Sequence, residues 1–472
     1  MLKKINSQIS IYLSLLAILS VWIMIDSIAN SHLDWGGDYA GYLLQAKSIQ
    51  DGDAVFISET LKEMVSLTDG EKYTFAQTPG PWGYPLFISI LEIYHNWDIQ
   101  KLKNLNLILN LLFLLIFYKI LLLKLKRTES LLFTVLIAFL PIYLEFHFKL
   151  LSEMLFSFLI ILGFYFKLQQ NLNSKSSLYI FEALIFGIAL LVRRQAIIWI
   201  FAYLFISFFV DKSFNKKNIL YTFNFFLPSI LIYFILGISP FGNIASSAGE
   251  WSGFDALNMD RLLFILKEVG YIFTRFPNNL SALIGILIFV FLIYSCFKNF
   301  NTENLFLIIY VALHMFYSIN DTQRFWMPLI GLIFINIIFS LKNNINITPS
   351  KIGIYIFIIA TLVYWLNSAI IQKDYYLTSN GPISESFQEL QEFVSSANDE
   401  TIYIFHSPRT FYYFTERKTY RLGQTIYPNS VFVCEKDTAS FCTDKRFAKV
   451  DNTKILNIFE NDKFILYKLS ND

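Results

Sequence analysis

Eleven apolar runs, each about a bilayer thick or slightly shorter, divide this chain, at 9–29, 102–123, 131–148, 150–168, 178–192, 195–210, 219–238, 280–297, 304–319, 323–341 and 352–371. About twenty apolar residues in a helix rising 1.5 Å per residue cover a hydrocarbon core of roughly 30 Å. In lipid each backbone polar group must be satisfied inside the protein, so runs of this length are expected to be helices. The composition agrees: 472 residues, 55% hydrophobic, 18% aromatic and 16% charged, is too apolar for a soluble chain. The expected class is an α-helical polytopic membrane protein with about eleven transmembrane helices. A net charge of +2 points to no acidic partner, and nucleic acid is not expected as one.

The first run follows Met1-Leu2-Lys3-Lys4 and leads into Asp34-Trp35-Gly36-Gly37-Asp38 without a small-x-small cleavage site. It therefore reads as a retained helix rather than a signal peptide. Lys3/Lys4, Lys124/Lys126/Arg127, Lys175, Lys212/Lys216/Lys217, Lys298 and Lys342/Lys351 fall on one side, which the positive-inside rule makes the cytoplasm. The N-terminus is then cytoplasmic, in a bacterial inner membrane. The outer side receives the acidic loop 30–80, the turns at His147, Arg193 and Asn320 to Arg324, the loop 239–279, and the tail.

Within the first outer loop, Tyr39, Tyr42, Leu43, Ala46 and Ile49 have helical spacing, and the segment Tyr39 to Gln50 reads as an amphipathic helix lying on the membrane surface. The stretch Leu86 to Tyr94, after the rigid turn Thr78 to Leu86, is too short to span and reads as interfacial or re-entrant. After Gln372 the chain becomes polar. Residues 1–372 thus form a transmembrane domain and 373–472 a small extracytoplasmic α/β domain, with a helix at Ser384 to Ser395, a strand at Thr401 to Phe405 and two strands between Ile455 and Leu469. Cys296 reads as a buried small hydrophobe, while Cys434 and Cys442 are open between a disulfide and two free thiols.

Charges near membrane depth are costly and mark candidate sites. Asp38 heads the helix after the first span, and reads as its N-cap, a functional acid, or both. Lys149 and Glu153 are four apart and could simply pair. Alternatively Glu153 lines a cavity beside Asp38 and hydrogen-bonds acceptor hydroxyls, with His147 and Lys149 near a donor phosphate. Arg193 and Arg194, followed by Gln195, break the positive-inside trend, and guanidiniums fork onto phosphate oxygens. Arg324 is either a further phosphate ligand or the partner of Asp321. The chain has no Gly-rich phosphate loop, zinc-type Cys/His spacing or internal repeat.

Four features resemble the GT-C superfamily of integral-membrane glycosyltransferases, of the protein O-mannosyltransferase and aminoarabinose-transferase type. They are Asp38 with Tyr42 and Ala46, the turn Pro81-Trp82-Gly83-Tyr84-Pro85-Leu86, Ser152-Glu153, and Phe186-Gly187-Ile188-Ala189 leading to Arg193. The resemblance covers about the first 370 residues. It implies transfer of a sugar from a polyprenyl-phosphate donor to a glycan, lipid or protein acceptor on the outer face, by inversion, with Asp38 as general base. Tyr42, Tyr84, His147, Lys149, Glu153, Arg193, Arg194, Gln195 and Arg324 would bind substrates, beside the membrane lipids. Tyr39 stands where many relatives carry a second acid, so a lone carboxylate with no metal or other cofactor is expected, a divalent cation being left as an alternative. The tail, with Ser407-Pro408-Arg409, is similar to the small domain attached to many bacterial members. Competing readings are a polymerase or ligase of lipid-linked glycans, and a transporter or flippase without covalent chemistry.

Overall fold

The computed structural model of the protein describes residues 37–55, 57, 80–140, 142, 143, 146, 149–173, 177–212, 215–241, 259–274, 279–315, 323–344, 381, 382, 384–398, 400–420, 430–436 and 454–470. In chain order its helices are α1 (Gly37–Asp51), α2 (Gly83–Ile90), α3 (Glu92–His95), α4 (Ile99–Leu121), α5 (Arg127–Ala138), α6 (Glu153–Asn173), α7 (Leu178–Val192), α8 (Ile197–Phe205), α9 (Lys216–Leu236), α10 (Met259–Thr274), α11 (Asn279–Lys298), α12 (Thr302–Met315), α13 (Gln323–Trp326), α14 (Ile330–Asn344), α15 (Glu385–Ser395) and α16 (Pro408–Thr415). Five strands complete it, β1 (Tyr403–Ile404), β2 (Thr419–Tyr420), β3 (Val431–Glu435), β4 (Lys454–Glu460) and β5 (Phe464–Ser470). The chain divides into two compact units. One contains Met1–Ile28, Glu92–Phe241 and Glu250–Lys373, and the other contains Ala29–Leu91, Gly242–Gly249 and Asp374–Asp472.

In the first unit, α4, α9 and α11, together with the segment Glu153–Leu172 of α6, are long and apolar enough to cross a membrane. Shorter apolar helices cover Leu178–Val192, Arg194–Val210, Thr302–His314 and Arg324–Ser340. The expected runs 9–29 and 352–371 lie outside the described residues. The run expected over 131–148 is not one continuous helix. α5 stops at Ala138, with Phe139 as its C-cap, because Pro141 can donate no hydrogen bond and disfavours a helical residue before it. Local chemistry starts and stops the long helices. Asp98 caps α4 by accepting from the amides of Gln100 and Lys101, Asn215 caps α9 through Lys217, and Gly237 ends α9 in the left-handed conformation at φ 65°.

Packing in this unit relies on close backbone approach. A Cβ on Gly187 of α7 would sit on the carbonyl oxygen of Phe225 in α9. Between α10 and α11 the arrangement is reciprocal, Gly270 facing the Ser281 carbonyl and Gly285 facing that of Leu266. α10 lies within the stretch 239–279 expected as an outer loop, yet it is a helix packed on α11, with Ile265, Leu266, Val269 and Ile272 buried. Their spacing is the stripe of a core-facing helix.

A buried polar network ties α6 to α9 through side chains. The Glu182 carboxylate accepts from the Tyr221 hydroxyl at 2.7 Å, and Trp199 Nε1 donates to the same hydroxyl oxygen at 2.8 Å. Tyr203 stacks on Tyr221 with ring centroids 3.9 Å apart, and the Lys167 ammonium lies over the Tyr203 ring. With its amide oriented to satisfy both neighbours, Gln170 donates to Glu182 Oε2 at 3.3 Å and accepts from Lys217 Nζ at 2.8 Å.

In the second unit the sheet has the order β2-β1-β3-β5-β4, with β1 parallel to β2 and β3, and β5 antiparallel to β3 and β4. α15 starts where Ser384 accepts from the Phe387 amide, and it turns Phe387, Leu390 and Val394 into a core shared with Tyr403, Phe411, Val431, Phe464 and Leu466. Cys434 is disulfide-bonded, whereas Cys296 is free; Cys442 lies outside the described residues. The helix expected over Tyr39 to Gln50 is α1, but its apolar stripe is covered by protein. α1 packs against both α2 and α16, and Tyr39, Leu43, Leu44 and Ala46 are buried.

Candidate functional site

A break in a helix creates the first cluster. α7 ends at Val192, Arg193 is extended (φ −147°, ψ 128°), and a short 3-10 turn over Arg194–Ala196 leads into α8. The break turns Arg193 inward, and its Nη1 lies 2.7 Å from Glu153 Oε1. Arg324 Nε reaches the same oxygen at 2.6 Å from α13. Glu153 is wholly buried at the start of α6, where the helix dipole favours an acid, and Ser157 donates to its backbone carbonyl at 2.7 Å. A carboxylate removed from water is tolerable only with such charge-assisted partners. Among the described residues the three side chains sum to one positive charge.

Aromatic groups wall this cluster. The Arg193 guanidinium lies over the Phe325 ring at 5.2 Å, a cation–π placement. Tyr310 donates to the Phe325 carbonyl at 3.0 Å, and the His314 ring stacks on Tyr310 and tilts against Phe325 and Trp326. Neither His314 nor Tyr310 is among the candidates drawn from the sequence. Their four-residue separation on α12, which places them on one face, is the signal that could have found them.

The second unit holds the other candidate acid. Asp38, in the first turn of α1, lies with its Oδ1 3.7 Å from Arg409 Nη2. Tyr42 sits one turn on and meets Tyr84 edge to face at 5.2 Å, while Gln45 Nε2 donates to the Gly80 carbonyl at 3.1 Å. These contacts join α1 to the Pro81-Trp82-Gly83-Tyr84 turn, so two of the sequence motifs meet in space. Near the far end of α16, burial first, and then the charges of Glu416 and Asp53, pushes the Tyr412 phenol upward.

No protein-family model and no curated protein matches the chain. Among solved structures, the crystal structure of ArnT from Cupriavidus metallidurans bound to undecaprenyl phosphate matches with a TM-score of 0.58, over 96% of this chain and 97% of that one, at 9% sequence identity. The chain has the fold of ArnT. The same protein in the apo state matches with a TM-score of 0.58 over the same shares, at 10% identity.

Within this ArnT-like fold the expected site residues separate into two groups. Glu153, Arg193 and Arg324 converge on one oxygen, and Asp38, Tyr42 and Tyr84 share one neighbourhood with Arg409. Arg194 Nε donates to the Phe241 carbonyl at 2.8 Å, and Gln195 is half-buried in the 3-10 turn. Lys149 places its ammonium over the Phe146 ring, and its carbonyl accepts from Asn106 Nδ2. His147 and Asp321 lie outside the described residues. Among the described residues no three His, Cys, Asp or Glu side chains converge as a metal site.

Proposed function

We propose that the protein is a membrane glycosyltransferase that takes a sugar from a polyprenyl-phosphate donor and passes it to an acceptor in the cell envelope. The observation that carries this reading is the match to ArnT over nearly the whole chain, including a form bound to undecaprenyl phosphate. The Glu153, Arg193 and Arg324 cluster supports it. Two buried guanidiniums gathered on one carboxylate are groups of the kind that fork onto phosphate oxygens, in surroundings where charge acts strongly. In the same reading His147, Lys149 and Arg194 assist in holding the donor.

Asp38 takes the proton from an acceptor hydroxyl as its oxygen attacks the anomeric carbon. The bond from that carbon to the phosphate oxygen breaks, the configuration inverts, and the lipid phosphate leaves with the electron pair. Arginines stabilise the charge that develops on the leaving group. The reaction faces the outside of a bacterial inner membrane, as does the region after residue 372, and the N-terminus is cytoplasmic.

The test supplies membranes containing the protein with radiolabelled polyprenyl-phosphate sugars and follows label into acceptors. Transfer by the parent and its loss in Asp38→Asn is the expected outcome. Unchanged transfer in Asp38→Asn removes Asp38 as the base, and no transfer from any lipid donor overturns the reading.

A further inference from the structure

α16 lies along α1 in parallel, held at both ends and in the middle. At one end Arg409 Nη2 is 3.7 Å from Asp38 Oδ1, in the middle Tyr412 and Tyr413 pack on Leu44 and Ile57, and at the other end Glu416 Oε1 is 3.2 Å from Lys47 Nζ. The two end contacts differ in kind. The Lys47 and Glu416 side chains are 45% and 76% exposed, as in a surface pair of little energetic weight, whereas that of Arg409 is only 9% exposed.

The arginine reaches Asp38 through a notch in α1. Gly41 stands one turn beyond Asp38, and a Cβ there would lie 2.7 Å from Arg409 Nη1 and 3.6 Å from its Cδ. Any other residue at position 41 would fill the path of the guanidinium. We propose that Arg409, from the tail of the chain, is a positioning residue that holds the Asp38 carboxylate oriented and charged for its work as a base. The proposal rests on the role given to Asp38 above. It makes the tail a part of the catalytic assembly, since the acid comes from the first outer loop and its counter-charge from the other end of the chain.

Among the described residues of α1, α2 and α16, few carry charge near Asp38. On α16 Arg409 is the single charged residue, α2 carries none, and the next charge along α1 is Lys47, which pairs with Glu416. Removing Arg409 therefore removes the nearest favourable charge among these elements, and a carboxylate deprived of a neighbouring cation protonates more readily.

Three variants test this. Arg409→Gln removes the charge, Arg409→Lys retains it without the fork, and Gly41→Ala retains the arginine but displaces its guanidinium. In the labelled-donor assay, Arg409→Gln and Gly41→Ala move the acid limb of the pH profile upward by about half to one unit, reduced from a buried pair by the partial exposure of Asp38. Arg409→Lys restores most of the shift, and Glu416→Gln, which loosens only the docking at the other end, leaves the profile in place. In Asp38→Asn membranes, Arg409→Gln has no further effect on residual transfer. A profile unchanged in both Arg409→Gln and Gly41→Ala, with Asp38→Asn inactive, overturns the positioning role while leaving the base intact. A second measurement needs no donor: thermal unfolding of the full chain with Asp38→Asn, Arg409→Gln and both together. Non-additive midpoints are expected, and strict additivity overturns the pairing.

Discussion

Replacing Glu153 with glutamine tests the buried cluster directly. The carboxylate is fully buried, and one of its oxygens holds Arg193 at 2.7 Å and Arg324 at 2.6 Å. Glu153→Gln keeps the shape of the side chain but presents a neutral amide to two guanidiniums. Breaking a buried ion pair by removing one partner costs about 3–5 kcal/mol, because the remaining charge stays desolvated. Arg324 is 21% exposed and recovers some hydration, which favours the lower half of that range, or on the order of a hundredfold in the unfolding equilibrium. A loss of about 3 kcal/mol lowers the midpoint of the detergent-solubilised 472-residue protein by about 3 °C. The assay is intrinsic-fluorescence thermal unfolding of the parent, Glu153→Gln, Arg193→Gln and the double variant. The double variant should lose less than the sum of the singles, since it leaves only one guanidinium. A Glu153→Gln midpoint within about 1 °C of the parent would refute the reasoning, because it would mean that the carboxylate neutralises nothing.

Other consequences can be checked in turn. Gly285→Ala would drive a methyl group into the Leu266 carbonyl and separate α10 from α11; thermal unfolding should fall by several degrees, and Ser295→Ala on the same helix by much less. Burial pushes the phenols of Tyr403 and Tyr413 up to about 12. A group whose folded value is raised contributes stability that is complete below the unfolded value of about 10 and is lost as pH rises toward about 12, so chemical unfolding of the tail should become easier across that window. Alkylation under denaturing conditions should label one thiol, Cys296, before reduction and three after it, as mass spectrometry can count.

Local regularities were read well from the sequence, and long-range meetings were not. Ser384 before Phe387, Leu390 and Val394 announces α15, because a cap and a helical stripe are both short-range signals. The strands flanking Glu460 to Asp462 were legible for the same reason. Arg193 and Glu153 stood out as charges in apolar surroundings, yet their sharing of one oxygen with Arg324 depends on three segments packing together, which no periodicity reports. Nothing local assigns Arg409 a role within Ser407-Pro408-Arg409, since its partner Asp38 lies at the other end of the chain. α10 was missed for a different reason: a loop with Asp260, Arg261 and Lys267 reads as solvated if its charges are counted and as helical if its apolar spacing is.

The two polar clusters of the first unit sit at opposite ends of one helix. Glu153 opens α6, and Gln170 lies seventeen residues further on, about 25 Å along the axis. Each end is fastened on a buried carboxylate, Glu153 at one and Glu182 of α7 at the other, which would be left desolvated if its partners withdrew, so sliding of α6 along its neighbours is costly. It behaves as a strut clamped at both ends. Movement within this unit is then left to elements that lack such fastenings, while α6 keeps its register.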